Sequence, residues 1–177
     1  AYDIPDPASG KADSAYITRA EIVETVASLF GYKGTTADSV PFTDVTKELG
    51  GVLKYALDLN IISAAESFRP SDAVTYNEAI KMCVSALGYE YLASVYGGWP
   101  MGYIRVADSI GLSDGLDLSD VNITPSACYL FVENLLTAEM LELDGMVEEE
   151  ITYRRYTTVL ETYFDMYEVE GVVTANE

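Results

Sequence analysis

Two short stretches of this sequence contain residue types whose spacing could support chemistry. The run beginning at Asp120 starts like a calcium-binding loop of the EF-hand type, but Pro125 takes the sixth position, where Gly is required, and Phe131 takes the twelfth, where a bidentate acid is required. Asn122 begins an Asn-Ile-Thr glycosylation acceptor, which we interpret as incidental because it falls at a helix start. No carboxylate pair has hydrolase spacing. The sequence therefore predicts no metal site, no cofactor and no enzymatic centre.

The amino-acid composition excludes several further classes of function. The 177-residue chain has no His, which excludes Ser-His-Asp and Cys-His nucleophiles and His-ligated zinc. With 29 acidic and 10 basic residues the net charge is −19, so a nucleic-acid backbone would be repelled over most of the surface. No apolar run approaches the roughly 20 residues that a membrane span needs. We expect no nucleic-acid partner, no membrane insertion and, for an exported protein, a signal peptide already removed.

Hydrophobic content of 49% with 22% charged residues is typical of a globular domain. The two cysteines, Cys83 and Cys128, lie among apolar neighbours in helical patterns. This setting favours buried free thiols and leaves a disulfide between them open.

A repeated helix start organises the chain. Thr18 with Glu21, and Thr75 with Glu78, form Thr-x-x-Glu capping boxes at a spacing of 57 residues, each followed by an apolar-periodic stretch. A third copy begins at Thr124, 49 residues after the second, with Pro in the first helical position and no reciprocal acid. The apolar stripe of the first copy is too wide for a surface helix, so we expect it near the centre of a helical bundle.

Shorter helices are predicted between these starts. Residues 52–62 and 103–112 match at an offset of 51, and Asn60 and Gly111 fall where a left-handed residue ends a helix. Gly31 and Gly88 are predicted to end the long helices in the same way.

The pattern predicts a mainly α-helical, all-α fold in three parts. Residues 1–16 form a loose N-terminal arm. Residues 17–143 hold three helix-loop-helix repeats, at about 17–73, 74–122 and 123–143. Residues 144–177 contain one more helix, from Thr152 to Tyr167. Three long helices have only two short partners, so we expect the part around Thr157 to Tyr167 to pack into the vacant place and cover the first long helix. The strand character of 171–174 suggests the start of a following region.

Over residues 17–140 these elements resemble the S-layer homology domain of Gram-positive surface proteins. The first repeat opens with the Ile-Thr-Arg-Ala-Glu motif at 17–21, followed by Phe-x-Asp-Val at 42–45, the Ala-x-x-x-Asn-Ile-Ile segment at 56–62 and Phe-Arg-Pro at 68–70. The Gly-Gly-Trp-Pro-Met-Gly-Tyr run at 97–103 is similar to a clostridial subtype. The ordered series is more specific than any single motif within it.

The resemblance implies a fold and a function. Three repeats would form a pseudo-threefold, three-pronged spindle whose grooves bind a secondary cell-wall polysaccharide, often carrying pyruvylated mannosamine. The chain would then be a secreted, non-enzymatic cell-wall anchor in the S-layer. The alternative is a degenerate spindle that contacts other surface proteins without binding glycan.

The glycan-binding residues that the resemblance implies are Arg19, Thr18, Asp44, Arg69 and Trp99. A pyruvyl carboxylate requires a fixed cation, and Arg offers a planar fork for two oxygens. The family's Arg is present only in the first repeat, since Tyr76 and Pro125 or Ser126 replace it in the others. Other roles stay open: Arg19 could pair with Asp44, Arg69 could fix its loop, and Trp99 could be a packing residue.

Overall fold

A computed structural model describes residues 6–12, 14–37, 39–117, 119–147 and 150–167. Within these ranges the helices are α1 (Arg19–Leu29), α2 (Lys47–Asp58), α3 (Tyr76–Ala86), α4 (Glu90–Val95), α5 (Met101–Ser109), α6 (Pro125–Thr137) and α7 (Val159–Phe164), and the strands are β1 (Glu139–Val147) and β2 (Glu150–Thr158). The fold is mainly α-helical, as predicted. Among the described helices none has both the length and the apolar composition of a membrane-spanning segment.

The three long helices begin at the predicted threonines. The Thr18 hydroxyl accepts from the Glu21 amide at 3.3 Å, while the Glu21 carboxylate accepts from the Thr18 amide at 2.8 Å, and Thr75 and Glu78 repeat this exchange. Thr124 caps α6 in one direction only, because the residue three positions on is Ala. Local sequence therefore sets where these helices begin.

The residues just before the three caps form a closed ring of backbone hydrogen bonds. The Ile17 amide donates to the Ile123 carbonyl at 2.9 Å, the Ile123 amide to the Val74 carbonyl at 3.1 Å, and the Val74 amide to the Ile17 carbonyl at 2.9 Å. All three side chains are fully buried. The ring brings the N-terminal ends of α1, α3 and α6 together at one point in the core.

Helix α1 lies at the centre of the hydrophobic core. Its two predicted apolar rows are at most 2% exposed: Ile22, Val26 and Leu29, and Val23, Ala27 and Phe30. Burial of one such large apolar side chain contributes ~1.5–3 kcal/mol, so this helix is a main source of stability. The predicted central position is confirmed.

Helices α2 and α5, predicted as the shorter ones, each cross another backbone segment closely, but α2 has 12 residues and is not shorter than α1 or α3. A β-carbon on Gly51 would overlap the Thr35 carbonyl oxygen, and one on Gly102 would overlap that of Ala93. The two glycines are 51 residues apart, the offset that aligns the short helices. The predicted left-handed helix ends are also present, with positive φ at Gly31, Asn60, Gly88 and Gly111.

The predicted helix from Thr152 to Tyr167 is wrong over its first half. Residues 150–158 form β2, which pairs antiparallel with β1, and Glu139 lies opposite Thr158 in the register. The predicted repeat end at residue 143 falls inside β1. The Thr-Tyr-Arg-Arg-Tyr-Thr-Thr run is rich in β-branched and aromatic residues, which pack well on a pleated surface. The Leu141 amide donates to the Leu87 carbonyl at 2.8 Å, which joins this hairpin to the end of α3.

Helix α7 begins at a capping box formed by Thr158 and Glu161. It packs against α6 and β2, with Val159 fully buried, and its Tyr163 ring lies 5.5 Å from the ring of Phe30 at the end of α1. The helix therefore touches the C-terminal end of α1 rather than running along it. The strand-like stretch predicted at 171–174 lies outside the described residues.

The loose arm predicted for residues 1–16 is wrong for its described part, residues 6–12 and 14–16. The Tyr129 hydroxyl donates to Asp6 at 3.0 Å, Ala8 is 6% exposed, and Lys11 forms a 3.0 Å ion pair with Glu21. These contacts hold the described part of the segment against α6 and α1. Residues 1–5 and Asp13 of the predicted arm lie outside the described ranges.

Both cysteines are buried and free, as the apolar pattern favoured. Cys83 lies on α3 and Cys128 on α6. Burial raises the pKa of the Cys128 thiol to about 12 and raises that of Cys83 well above its usual value. The two thiols act as small apolar core groups.

Candidate functional site

A cavity of about 300 Å³ opens between the start of α1, the loop before α3, and Trp99. Its apolar lining includes Phe42, Ile61, Ile62, Ala65, Phe68 and Met82. Its polar and charged lining consists of Arg19, Ser63, Ser67, Glu78 and Lys81. Such a combination of apolar walls and a few convergent polar groups is typical of small-ligand sites.

Arg19 is held in place at the cavity wall by three contacts. Its Nε donates to the Phe68 carbonyl at 2.8 Å, its Nη1 donates to Glu78 Oε1 at 2.6 Å, and its guanidinium carbon lies 4.9 Å from the centre of the Phe68 ring. The side chain is 13% exposed. Burial lowers the pKa of Arg19 and the Glu78 charge opposes this, so the group stays cationic. Its ion-pair partner is Glu78, and the pairing with Asp44 left open from the sequence is wrong.

The Glu78 carboxylate joins the starts of α1 and α3. One oxygen accepts from Arg19 and, at 3.1 Å, from Arg69 Nη2, while the other accepts from the amide and hydroxyl of Thr75 at 3.1 and 3.0 Å. Burial alone would raise the pKa of Glu78, but the Thr75 amide and the Arg19 charge outweigh it, and the net shift is downward. The acid that caps α3 therefore also fixes the cation of α1.

Asp44 holds the loop beside the cavity and does not line it. Its carboxylate accepts from the Ser67 hydroxyl at 2.6 Å and from the amides of Phe68 and Arg69 at 2.8 and 2.7 Å. These hydrogen bonds, with that of Ser67 the largest, lower the pKa of Asp44 to about 2. Since the Phe68 carbonyl positions Arg19, Asp44 acts on the cavity through the loop.

The other residues predicted from the sequence lie at different distances from the cavity. Trp99 lines it and is 53% exposed, with its ring 6.2 Å from that of Tyr103 in an edge-on contact. Arg69 lies at the edge, in a left-handed conformation with φ of 59°, and also contacts Asp72 at 3.6 Å. The Thr18 hydroxyl is engaged with Glu21 in the helix cap. The structure thus brings Arg19 and Trp99 into one cavity.

Lys81 is a cavity residue that the sequence interpretation missed. Its ammonium donates to the Ser63 hydroxyl at 3.1 Å. It lies three residues after Glu78 on α3, so both side chains project from the same helix face. That spacing was a signal for the site. The lining side chains therefore carry two cations and one carboxylate, in a chain whose net charge is −19.

A second cavity lies at the position where the next repeat would place its own Arg. It has a volume of about 470 Å³, and Tyr76 lines it together with Asp117 and Asp120. The Tyr76 hydroxyl donates to the Asp117 carbonyl at 2.9 Å. None of its lining residues is basic, so this cavity has no clamp for a carboxylate.

Three relatives are similar to the chain, and all three are named as surface proteins. "Surface layer protein" of Brevibacillus choshinensis is 30% identical over 130 residues, and "Middle cell wall protein" of Brevibacillus brevis is 29% identical over 134 residues, each match covering 71% of the chain. "Cell surface protein" of Thermoanaerobacter kivui is 25% identical over 174 residues, or 89% of the chain. No protein-family model matches the chain.

The chain spans only a small part of these relatives, 11%, 12% and 22% of their lengths. None of the three names denotes an enzyme. The chain is therefore similar to a short segment of large bacterial surface and cell-wall proteins.

Proposed function

We propose that the chain is a non-enzymatic cell-wall attachment module whose Arg19 cavity binds an acidic sugar of a secondary cell-wall polysaccharide. The observation that carries this proposal is the fixed guanidinium of Arg19 at the wall of a cavity edged by Trp99. The surface and cell-wall names of the relatives support the location.

Charge favours an anionic ligand in this cavity. Arg19 is partly neutralised by Glu78, but Lys81 adds a second cation, and Arg69 shares the same carboxylate from the edge. Screening over ~8 Å at physiological ionic strength limits the influence of the acidic surface elsewhere. The lining side chains carry two cations and one carboxylate, while Asp72 and Asp44 offset Arg69 outside the lining, so the charge of the lining itself favours an anionic ligand.

Shape and polarity favour a sugar over an inorganic ion. The half-exposed Trp99 presents an apolar ring, whereas the Phe42 and Phe68 rings, an edge-on pair at 5.5 Å, are at most 6% exposed. A pyranose offers one apolar face for the Trp99 ring and hydroxyls for Ser63 and Ser67. A carboxylated sugar therefore matches both the apolar and the polar groups of the lining.

The test is co-sedimentation with purified cell-wall sacculi, before and after hydrofluoric acid removes the polysaccharide. We expect retention by untreated sacculi only. Lys81→Ala and Trp99→Ala should weaken retention because each removes a side chain that lines the cavity, and both variants should fold because neither side chain is needed for the core. Lys54→Ala, at an exposed lysine elsewhere, should leave retention unchanged. Arg19→Lys should weaken retention while preserving a charge beside Glu78. Retention unchanged by all three cavity variants would refute the assignment of the site.

The alternative function is a scaffold that contacts other surface proteins without binding glycan. The cavity beside Tyr76 favours it, because Asp117 and Asp120 stand there without a basic residue in the lining. Binding to sacculi that survives hydrofluoric acid, together with binding to purified surface-layer protein, would support this alternative.

A further inference from the structure

A third cavity lies on a different part of the molecule, where the C-terminal ends of three helices meet. It has a volume of about 340 Å³. Phe30 caps the end of α1, Leu59 caps the end of α2, and Ala86 is the last residue of α3, and all three line the cavity. These helices have 11 or 12 residues each, so their dipoles direct partial negative charge toward this space.

Aromatic rings form much of the cavity wall. Tyr91 and Tyr153 stack with ring centres 5.5 Å apart, and Tyr163 packs on Phe30 at the same distance. Tyr91 is 53% exposed and Tyr153 36% exposed, so ring surface remains open to solvent. The faces of such rings carry negative quadrupole potential and attract cations within about 6 Å.

The charged side chains that line this cavity also favour a cation. Glu90 lines it, and no Lys or Arg does among the residues that the structure describes. Arg155 lies two residues from Tyr153 on β2, but it pairs with Glu139 at 3.6 Å. The net charge of −19 adds a general attraction for cations.

Three helix C-termini, the ring faces and the Glu90 carboxylate thus favour a cation, and only the start of the six-residue α4 contributes partial charge of the opposite sign. We infer that this cavity binds an alkylammonium group, either the side chain of a lysine or a quaternary ammonium such as choline. The site is separate from the Arg19 cavity, which has the opposite charge preference. A surface module with both could contact an acidic glycan and a cationic group at the same time.

The test is an NMR titration of the ¹⁵N-labelled 177-residue chain with matched probe pairs. Choline is compared with 3,3-dimethyl-1-butanol, which replaces the ammonium nitrogen by carbon, and N-acetyl-lysine methylamide with the norleucine analogue. We expect saturable shifts of the Asn60 and Gly88 amides with the two cations only, at constant ionic strength. Whichever cation binds more tightly identifies the source of the ammonium group.

Variants connect the shifts to the cavity. Tyr91→Ala should weaken cation binding about two- to fivefold, the range expected for one partly exposed ring. Glu90→Gln should also weaken it. Tyr96→Ala serves as the matched control, because this tyrosine is similarly exposed at the end of α4 but does not line the cavity.

The inference would be overturned by equal binding of the neutral probes or by affinities that Tyr91→Ala leaves unchanged. Tighter binding of methyl glucoside, a neutral sugar, would also overturn it. Lys81→Ala should leave the titration unchanged, since that residue lines the other cavity. The cation titration and the sacculus test therefore probe different cavities, so failure of one leaves the other unaffected.

Discussion

Arg19 Nη1 lies 2.6 Å from Glu78 Oε1, so the cation at the start of α1 is fixed by the acid that caps α3. Because both side chains are largely buried, neither helix can position the candidate site alone. Ligand binding and packing between α1 and α3 therefore depend on the same pair of residues.

Replacing the acid of this pair should destabilise the protein. Glu78→Gln keeps a capping side chain but leaves Arg19 without its charged partner, and we expect the free energy of unfolding to fall by about 1–3 kcal/mol. Urea denaturation followed by circular dichroism measures this. Glu66→Gln, at an exposed position, should stay within about 0.5 kcal/mol of the parent protein. Equal effects of the two changes would contradict the structural role of the pair.

Two adjacent glycines in α2 should respond in opposite ways to the same substitution. Gly51→Ala forces a β-carbon into the Thr35 carbonyl and should lower the unfolding free energy by about 1–3 kcal/mol. At Gly50 the nearest atom to a new β-carbon is 3.8 Å away, so Gly50→Ala should be neutral or stabilise by ~0.5–1 kcal/mol. Thermal unfolding of both variants checks this, and a stabilised Gly51→Ala protein would refute the close crossing.

Asp44 should make stability depend on acid pH. Its pKa is about 2 in the folded chain against an ordinary value of 3.8, because hydrogen bonds from Ser67 and the loop amides favour the charged form. The stabilisation is then complete above about pH 4 and is lost as the pH falls toward 2. Destabilisation by Asp44→Asn should accordingly shrink over this interval in urea denaturation.

A direct measurement for the same carboxyl is its titration by ¹³C NMR. A midpoint for Asp44 at or above the ordinary Asp value would show that its hydrogen bonds to the loop do not persist in solution.

The two thiols should be unreactive until the protein unfolds. Burial raises the pKa of Cys128 to about 12 and that of Cys83 in the same direction, so almost no thiolate forms near neutral pH. Ellman's reagent should detect no thiol in the native protein and two per chain in concentrated guanidinium. Failure to detect thiols after unfolding without reductant would reveal a disulfide.

Features encoded over a few residues were predictable from the sequence. The caps at Thr18, Thr75 and Thr124 depend on hydrogen bonds within one helical turn, and the left-handed helix ends depend on the side chain of a single residue. The β2 strand was missed because its tyrosines continue into α7 with a spacing that also fits a helix. Its β-branched composition, and the capping box at Thr158, were the signals for a boundary.

The candidate site was only partly predictable because its key contacts join residues far apart in the sequence. Arg19 stood out by its motif, but its partner Glu78 is 59 residues away. Asp44 has the negative charge expected of a partner for Arg19. Its carboxylate instead accepts from the amides of Phe68 and Arg69, 24 and 25 residues later in the chain, and so does not line the cavity. The spacing of Lys81 from Glu78 was a signal in the sequence, but the place of Lys81 in the cavity depends on how α3 packs.

The ring formed by Ile17, Val74 and Ile123 sets a lower limit on the size of any functional fragment. Each member donates one amide hydrogen bond and accepts one, so a fragment that ends before Ile123 would leave the Ile17 N–H and the Val74 carbonyl without partners in the dry interior. Such a fragment should therefore be prone to aggregation. Any shortened version of the chain that folds must keep Ile17, Val74 and Ile123 together.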